Sequence, residues 1–156
     1  MIRTQGRMRL CIALLTVNLV FIWGNSLLPG EISSALSDWL KNVLSALLGN
    51  QSGAPGGGGL LRKLAHFTEF TCLGLCLSWL FRMVRSRSWE HVAFPRLAGT
   101  AVAAIDETIK RFVPLRGPSI KDVGIDTAGV VLGIVIITLI QVIKNKKFKN
   151  LEETIQ

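Results

Sequence analysis

Two stretches of this chain are too long and too apolar for water to solvate. Residues 10–28 (LCIALLTVNLVFIWGNSLL) and 122–143 each run about twenty residues with few polar interruptions. A helix rises about 1.5 Å per residue, so each run matches the roughly 30 Å of a bilayer's hydrocarbon core. Inside hydrocarbon every backbone N–H and C=O must be paired within the segment, which makes both runs helices. Composition agrees, because 49% of the residues are hydrophobic and only 18% are charged. A soluble domain of this size covers itself with more charge than that. Cys11, Cys72 and Cys76 all fall inside apolar runs. They lack the partners of a zinc site and read as small buried hydrophobes.

The remaining segments complete a membrane domain. Residues 64–84 form a third apolar run, entered through Arg62, Lys63, His66 and Glu69. Residues 92–110 form a fourth and weaker one, continuously apolar only over 97–105 before Asp106 and Glu107. Between the first and third runs, Ile32, Leu36, Trp39, Leu40, Val43, Leu44, Leu47 and Leu48 recur at spacings of three and four. That periodicity predicts an amphipathic helix over 31–49, opened by Pro29-Gly30 and lying along the membrane surface. Residues 49–59 (GNQSGAPGGGG) and 113–121 (VPLRGPSIK) are loops by composition. The expected fold is all-α, a single domain over 1–156 with about four transmembrane helices and one surface helix. A cleaved signal peptide competes for the first run, since Arg3, Arg7 and Arg9 precede it. The length of the run, and the lack of a clean small-x-small cleavage pattern after it, favour a retained helix.

The net charge of +8 is clustered: Arg3, Arg7 and Arg9; Arg82, Arg85, Arg87 and Arg96; Lys144, Lys146, Lys147 and Lys149. No groove-reading motif accompanies these clusters, which argues against nucleic acid. Flanking apolar runs, they are topology signals and contacts for anionic headgroups. Four crossings place all three clusters, and both termini, in the cytoplasm. The second crossing then carries Arg62, Lys63, His66 and Glu69 in its outer half. The third ends outside at Asp106, Glu107, Lys110 and Arg111, and the fourth starts there with Lys121, Asp122 and Asp126. Polar groups from three helices are thus expected together at the outer leaflet.

Helical phase sharpens this expectation. Arg62, His66 and Glu69 share a face, as do Asp106 with Lys110, Glu107 with Arg111, and Asp122 with Asp126. Gly129 and Gly133 continue the last stripe as a small-x-x-x-small surface. A charge facing lipid costs about 2.5 kcal/mol or more near mid-membrane, so these groups should face one another.

The segments R-K-L-A-H-F-T-E-F (Arg62 to Phe70) and D-E-T-I-K-R-F-V-P-L-R-G-P-S-I-K-D-V-G-I-D-T-A-G-V-V-L-G (Asp106 to Gly133) resemble the VanZ family. These are small bacterial membrane proteins named for a member linked to teicoplanin resistance. The resemblance rests on Lys63, His66, Asp106, Glu107, Phe112, Pro114, Arg116, Asp122, Asp126 and Gly129. More loosely, it extends to the opening run. Lys110 stands where the family usually has Gln, a cation in place of a neutral donor and acceptor. What the resemblance implies is a multi-pass protein of the bacterial plasma membrane; it supplies no reaction.

The candidate catalytic residues are His66, Asp106 and Asp122, and the candidate binding residues are Lys63, Glu69, Glu107, Lys110, Arg111, Arg116 and Asp126. His66 titrates near working pH and suits acid–base work, with a structural hydrogen-bonded histidine as the alternative. Arg116, with Lys63, Arg111 and Lys121, is expected to form an electropositive outer rim for phosphate or carboxylate, or simply a headgroup anchor. Asp106, Glu107, Asp122 and Asp126 offer enough oxygens for Mg²⁺ or Ca²⁺. Their spacing specifies no metal, and ion pairing with Lys63, Lys110 and Arg111 needs no ligand. No metal and no cofactor are therefore expected. No serine elbow, P-loop, HExxH or Rossmann pattern is present.

Three functions fit these residues. The leading one is a cell-envelope protein that binds or alters a membrane lipid or lipid-linked envelope precursor and, as the resemblance implies, affects teicoplanin susceptibility. The second is an acid–base enzyme on such a precursor, and the third, ranked last, is a proton or ion pathway.

Overall fold

The apolar runs close into helices as the backbone argument requires. In the computed structural model, which describes residues 2–48, 57–84 and 87–155, five helices follow one another. They are α1 (Ile2–Leu27), α2 (Gly30–Leu48), α3 (Gly57–Val84), α4 (Glu90–Lys110) and α5 (Ile120–Ile155). No strand occurs among the described residues. Three segments are long and apolar enough to cross a membrane: Gln5–Leu27, Arg62–Val84 and Ile120–Lys147. Their outward faces expose Val17, Val20, Phe21, Leu139 and Ile143, side chains that a water-soluble bundle would hide and a bilayer solvates.

α4 is not among the three, because Arg96, Asp106, Glu107 and Lys110 interrupt it. Its 21 residues nonetheless reach about 30 Å, enough to span. Three of the four interrupting charges are buried against the other helices.

Contacts between side chains fix the helix directions. At one end Ser26 of α1 meets Asp106 of α4, and His66 of α3 approaches Asp126 of α5. At the other end Cys11 of α1 donates to the Cys76 carbonyl of α3, Phe81 of α3 stacks on Phe94 of α4, and Arg82 of α3 donates to Thr138 and Gln141 of α5. The helices α1 and α4 therefore run toward the first end, and α3 and α5 run away from it.

The parallel pair α3 and α5 pack closest, and glycine is the reason. A Cβ at Gly129 would sit 2.6 Å from the Phe67 carbonyl oxygen. One at Gly133 would strike the Thr71 carbonyl, and one at Gly74 that of Val130. Small residues let two backbones touch, which in lipid replaces the missing hydrophobic drive between helices. Around this seam Ile22, Phe70, Leu73, Leu77, Ala103, Val130 and Ile134 form the apolar core.

Several boundaries differ from those read off the sequence. Glycines 57–59, expected in the loop, already belong to α3, while residues 49–56 lie outside the described residues. The last helix does not stop at 143 but continues to Ile155, since an exposed Lys-rich tail has nothing in it to break a helix. α2 leaves Ile32 and Trp39 exposed, consistent with an amphipathic helix. The side chains of Leu36, Leu40, Leu44, Leu47 and Leu48, like those of Arg3, Arg85 and Lys149, lie outside the described residues.

The loop between α4 and α5 folds back onto the α1–α2 turn. Leu115 takes a left-handed backbone (φ 60°), and Gly30 donates its N–H to the Pro114 carbonyl at 3.4 Å. A Cβ on Gly30 would lie 2.7 Å from the Leu115 carbonyl oxygen, so only glycine lets the two turns meet.

Gly133→Ala should lower stability by about 1–3 kcal/mol through overpacking at the α3–α5 seam. Gly124→Ala, whose Cβ would meet nothing within 4 Å, should be neutral or slightly stabilising, because alanine is the better helix former. Thermal unfolding in detergent micelles, monitored by circular dichroism, separates the two.

Candidate functional site

The charge of Lys110 is the centre of the polar end of the bundle. Its ammonium lies 2.8 Å from Asp106 Oδ2, one helical turn earlier, and 2.7 Å from Glu107 Oε1. All three side chains are almost fully excluded from solvent. A buried carboxylate is expensive unless it is paired and hydrogen-bonded, and the second shell here supplies those bonds. Ser26 Oγ donates to Asp106 Oδ1 at 2.6 Å. The Ser119 backbone N–H donates to Glu107 Oε2 at 2.8 Å, placing that carboxylate at the start of α5, where the helix dipole favours negative charge. Arg116 donates from Nη1 to the Ser26 carbonyl at 3.1 Å, fixing the residue that in turn fixes Asp106.

A second group forms on α3. Asn25 donates to Glu69 Oε1 at 3.2 Å, and Asn18 donates to the Glu69 backbone carbonyl at 3.4 Å. His66 Nδ1 lies 3.6 Å from Glu69 Oε2, beyond hydrogen-bond reach. Both ring nitrogens of His66 are buried without a hydrogen-bond partner, and so is Asp126 Oδ2. His66, Asp106 and Asp126 nevertheless converge, each offering one ligand-type atom within 4.8 Å of the others. Beside them opens a cavity of about 150 Å³ lined by Arg62, Lys63, His66, Lys110, Asp122, Ile125 and Asp126.

The structure gathers most of the predicted site. His66, Asp106, Glu107, Lys110 and Asp126 are buried together, Glu69 stands beside His66, and Lys63 and Asp122 reach the cavity. Two placements differ from expectation. Arg116 is not part of an outer rim: it is 8% exposed and braces α1 from inside, because the left-handed turn at Leu115 points the loop inward. Glu107 pairs with Lys110, not Arg111. Both cations are within helical reach of it, but Lys110 faces the bundle and Arg111 is exposed, lining a separate surface depression with Glu107 and Ser119.

The residues missed are Asn18, Asn25 and Ser26 of α1. A signal for them existed: within the first apolar run they stand at positions 18, 25 and 26, one helical face, the same face as the buried Cys11 and Ile22.

Compared with families of known proteins, residues 7–141 match the family described as VanZ/LLP1, nearly the whole chain. No curated protein and no solved structure matches the chain.

Ser26→Ala removes the only side-chain hydroxyl bonded to Asp106 among the described residues and should destabilise the fold by about 1–3 kcal/mol, the cost of stripping a partner from a buried acceptor. Thr16→Ala is the control, since that exposed hydroxyl bonds only to its own helix, and should change stability by less than about 0.5 kcal/mol. Denaturation of the two variants side by side checks both values.

Proposed function

The chain belongs to the VanZ/LLP1 family, and on that premise we propose that it is a cell-envelope protein that binds or alters an anionic envelope component at the outer leaflet. In this reading it changes susceptibility to teicoplanin. The observation that carries the reading is the cavity itself. Asp126, His66 and Lys110 are the buried part of its lining, and Arg62, Lys63 and Asp122 the more exposed part. A volume of about 150 Å³ admits a phosphate- or carboxylate-sized group, and it is far too small for a glycopeptide. The ligand is therefore a lipid or lipid-linked precursor entering by its headgroup, with Arg62 and Lys63 meeting the anion.

Orientation supports the same reading. The polar end lies opposite the end bearing Arg7, Arg82 and Lys144, and clusters of basic residues belong in the cytoplasm. α4 then adds a crossing to the other three, the third in chain order, with its charges shielded by its neighbours.

A second reading, acid–base chemistry on the same headgroup, is favoured by one observation: both ring nitrogens of His66 are without a hydrogen-bond partner, and the side chain lines the cavity. In that case purified protein turns over a lipid-linked precursor, and His66→Ala abolishes turnover while binding survives.

Deleting the gene, or replacing the cavity-lining Asp122 by Ala, should shift the minimal inhibitory concentration of teicoplanin while the protein still reaches the membrane. An unchanged response in both strains contradicts the proposal.

A further inference from the structure

The ion pairs of Lys110 account for Asp106 and Glu107 and leave a second set of buried groups unaccounted for. His66 is 6% exposed and Asp126 1%, yet neither ring nitrogen of the one nor Oδ2 of the other has a partner. Three helices bring one ligand-type atom each from His66, Asp106 and Asp126 within 4.8 Å of one another. Unpaired buried polar groups are rare, and each one calls for a partner. His66 and Asp126, each with an unpartnered atom and within reach of one another and of Asp106, can share one.

Charge says what kind. Glu69, Asp106, Glu107 and Asp126 are the carboxylates of this region, and Lys110 and Arg116 are its buried cations. These buried groups carry four formal negative charges against two positive, and counting Asp122, Arg62 and Lys63 of the cavity wall still leaves the region net negative, which favours a bound cation. Asp106 has the capacity to take part: its two oxygens offer about four lone-pair sites, and Ser26 and Lys110 occupy two.

The donor set narrows the cation further. Calcium wants six to eight oxygens and magnesium a near-ideal octahedron of oxygens. One imidazole with two carboxylates suits zinc, which binds His nitrogen and Asp oxygen at about 2.0–2.2 Å and leaves a position open in reactive sites. Tetrahedral ligands at that distance sit roughly 3.3 Å apart, so the three donors need only draw in by side-chain rotation. The open position would face the cavity toward Arg62 and Lys63.

We infer that His66, Asp106 and Asp126 form a zinc-class divalent-metal site at the polar end of the bundle, with its free coordination position directed into the cavity. Glu107 is engaged by Lys110 and Ser119 and stays out of the ligand set; Asp122 lines the cavity without belonging to the convergent trio. The inference stands on this geometry and is independent of the teicoplanin reading.

The test uses the full, untagged chain in detergent, dialysed against buffered Zn²⁺ and measured for bound metal by mass spectrometry. Wild type and Asp122→Asn should each hold about one Zn²⁺ per chain. Asp126→Asn, nearly isosteric, and His66→Ala should lose at least about tenfold in affinity. Addition of Zn²⁺ should raise the melting temperature of wild type and not that of Asp126→Asn, since a ligand stabilises only the state that binds it. Folded wild type that takes up no Zn²⁺ overturns the inference, and so does Zn²⁺ retained undiminished by both ligand variants. Because the readout is metal content, its outcome is separate from that of the susceptibility assay.

Discussion

Everything at the polar end of this bundle depends on a cation being available to a buried carboxylate pair. Asp106 and Glu107 are adjacent on α4, so they point into the bundle about 100° apart and cannot be satisfied by one another. Lys110 solves this from the same helix: it stands three residues from Glu107 and four from Asp106, and its flexible stem lets one ammonium reach both. Pairing within one helix means that the charges travel into the apolar interior already neutralised in part. The rest of the neighbourhood then builds on them. Ser26 ties α1 to Asp106, Ser119 ties the start of α5 to Glu107, and Arg116 locks the loop onto Ser26.

The apolar seam and the polar cluster are two ends of one packing problem. Glycines 74, 129 and 133 bring α3 and α5 into backbone contact, and that contact sets how near His66 comes to Asp126. A methyl group at the seam would hold the helices apart and widen the spacing at the site one or two turns away. The bulk of the bundle presents aliphatic side chains to its surroundings, so the interior is the sole place for these polar groups. Packing in lipid and placement of chemistry are therefore coupled through the same three residues.

Much of this was legible beforehand, for identifiable reasons. Charges are rare in apolar helices, so Arg62, His66, Asp106, Lys110 and Asp126 stood out, and loop charge gave each helix a direction that put them together. Helical phase matched Asp106 to Lys110. What phase could not decide was which cation Glu107 takes, because Lys110 and Arg111 are both within reach; burial decided it. Arg116 was misplaced because the direction of a loop side chain follows from a single backbone angle, at Leu115, that composition does not signal. Ser26 was overlooked because an uncharged hydroxyl in an apolar run has no pattern of its own until its partner is known. The far end of α5 lies beyond the apolar run that marks a crossing, because a helix of Lys and Asn continues into water.

The central claim is that Lys110 holds two buried carboxylates in place, and removing one charge against removing all three tests it most directly. Lys110→Met leaves Asp106 and Glu107 unpaired in the interior and should cost about 3–5 kcal/mol of unfolding free energy, whereas the triple variant with Asp106→Asn and Glu107→Gln should recover most of that loss. Equal stability of the single variant and wild type would show that the carboxylates do not depend on this ammonium.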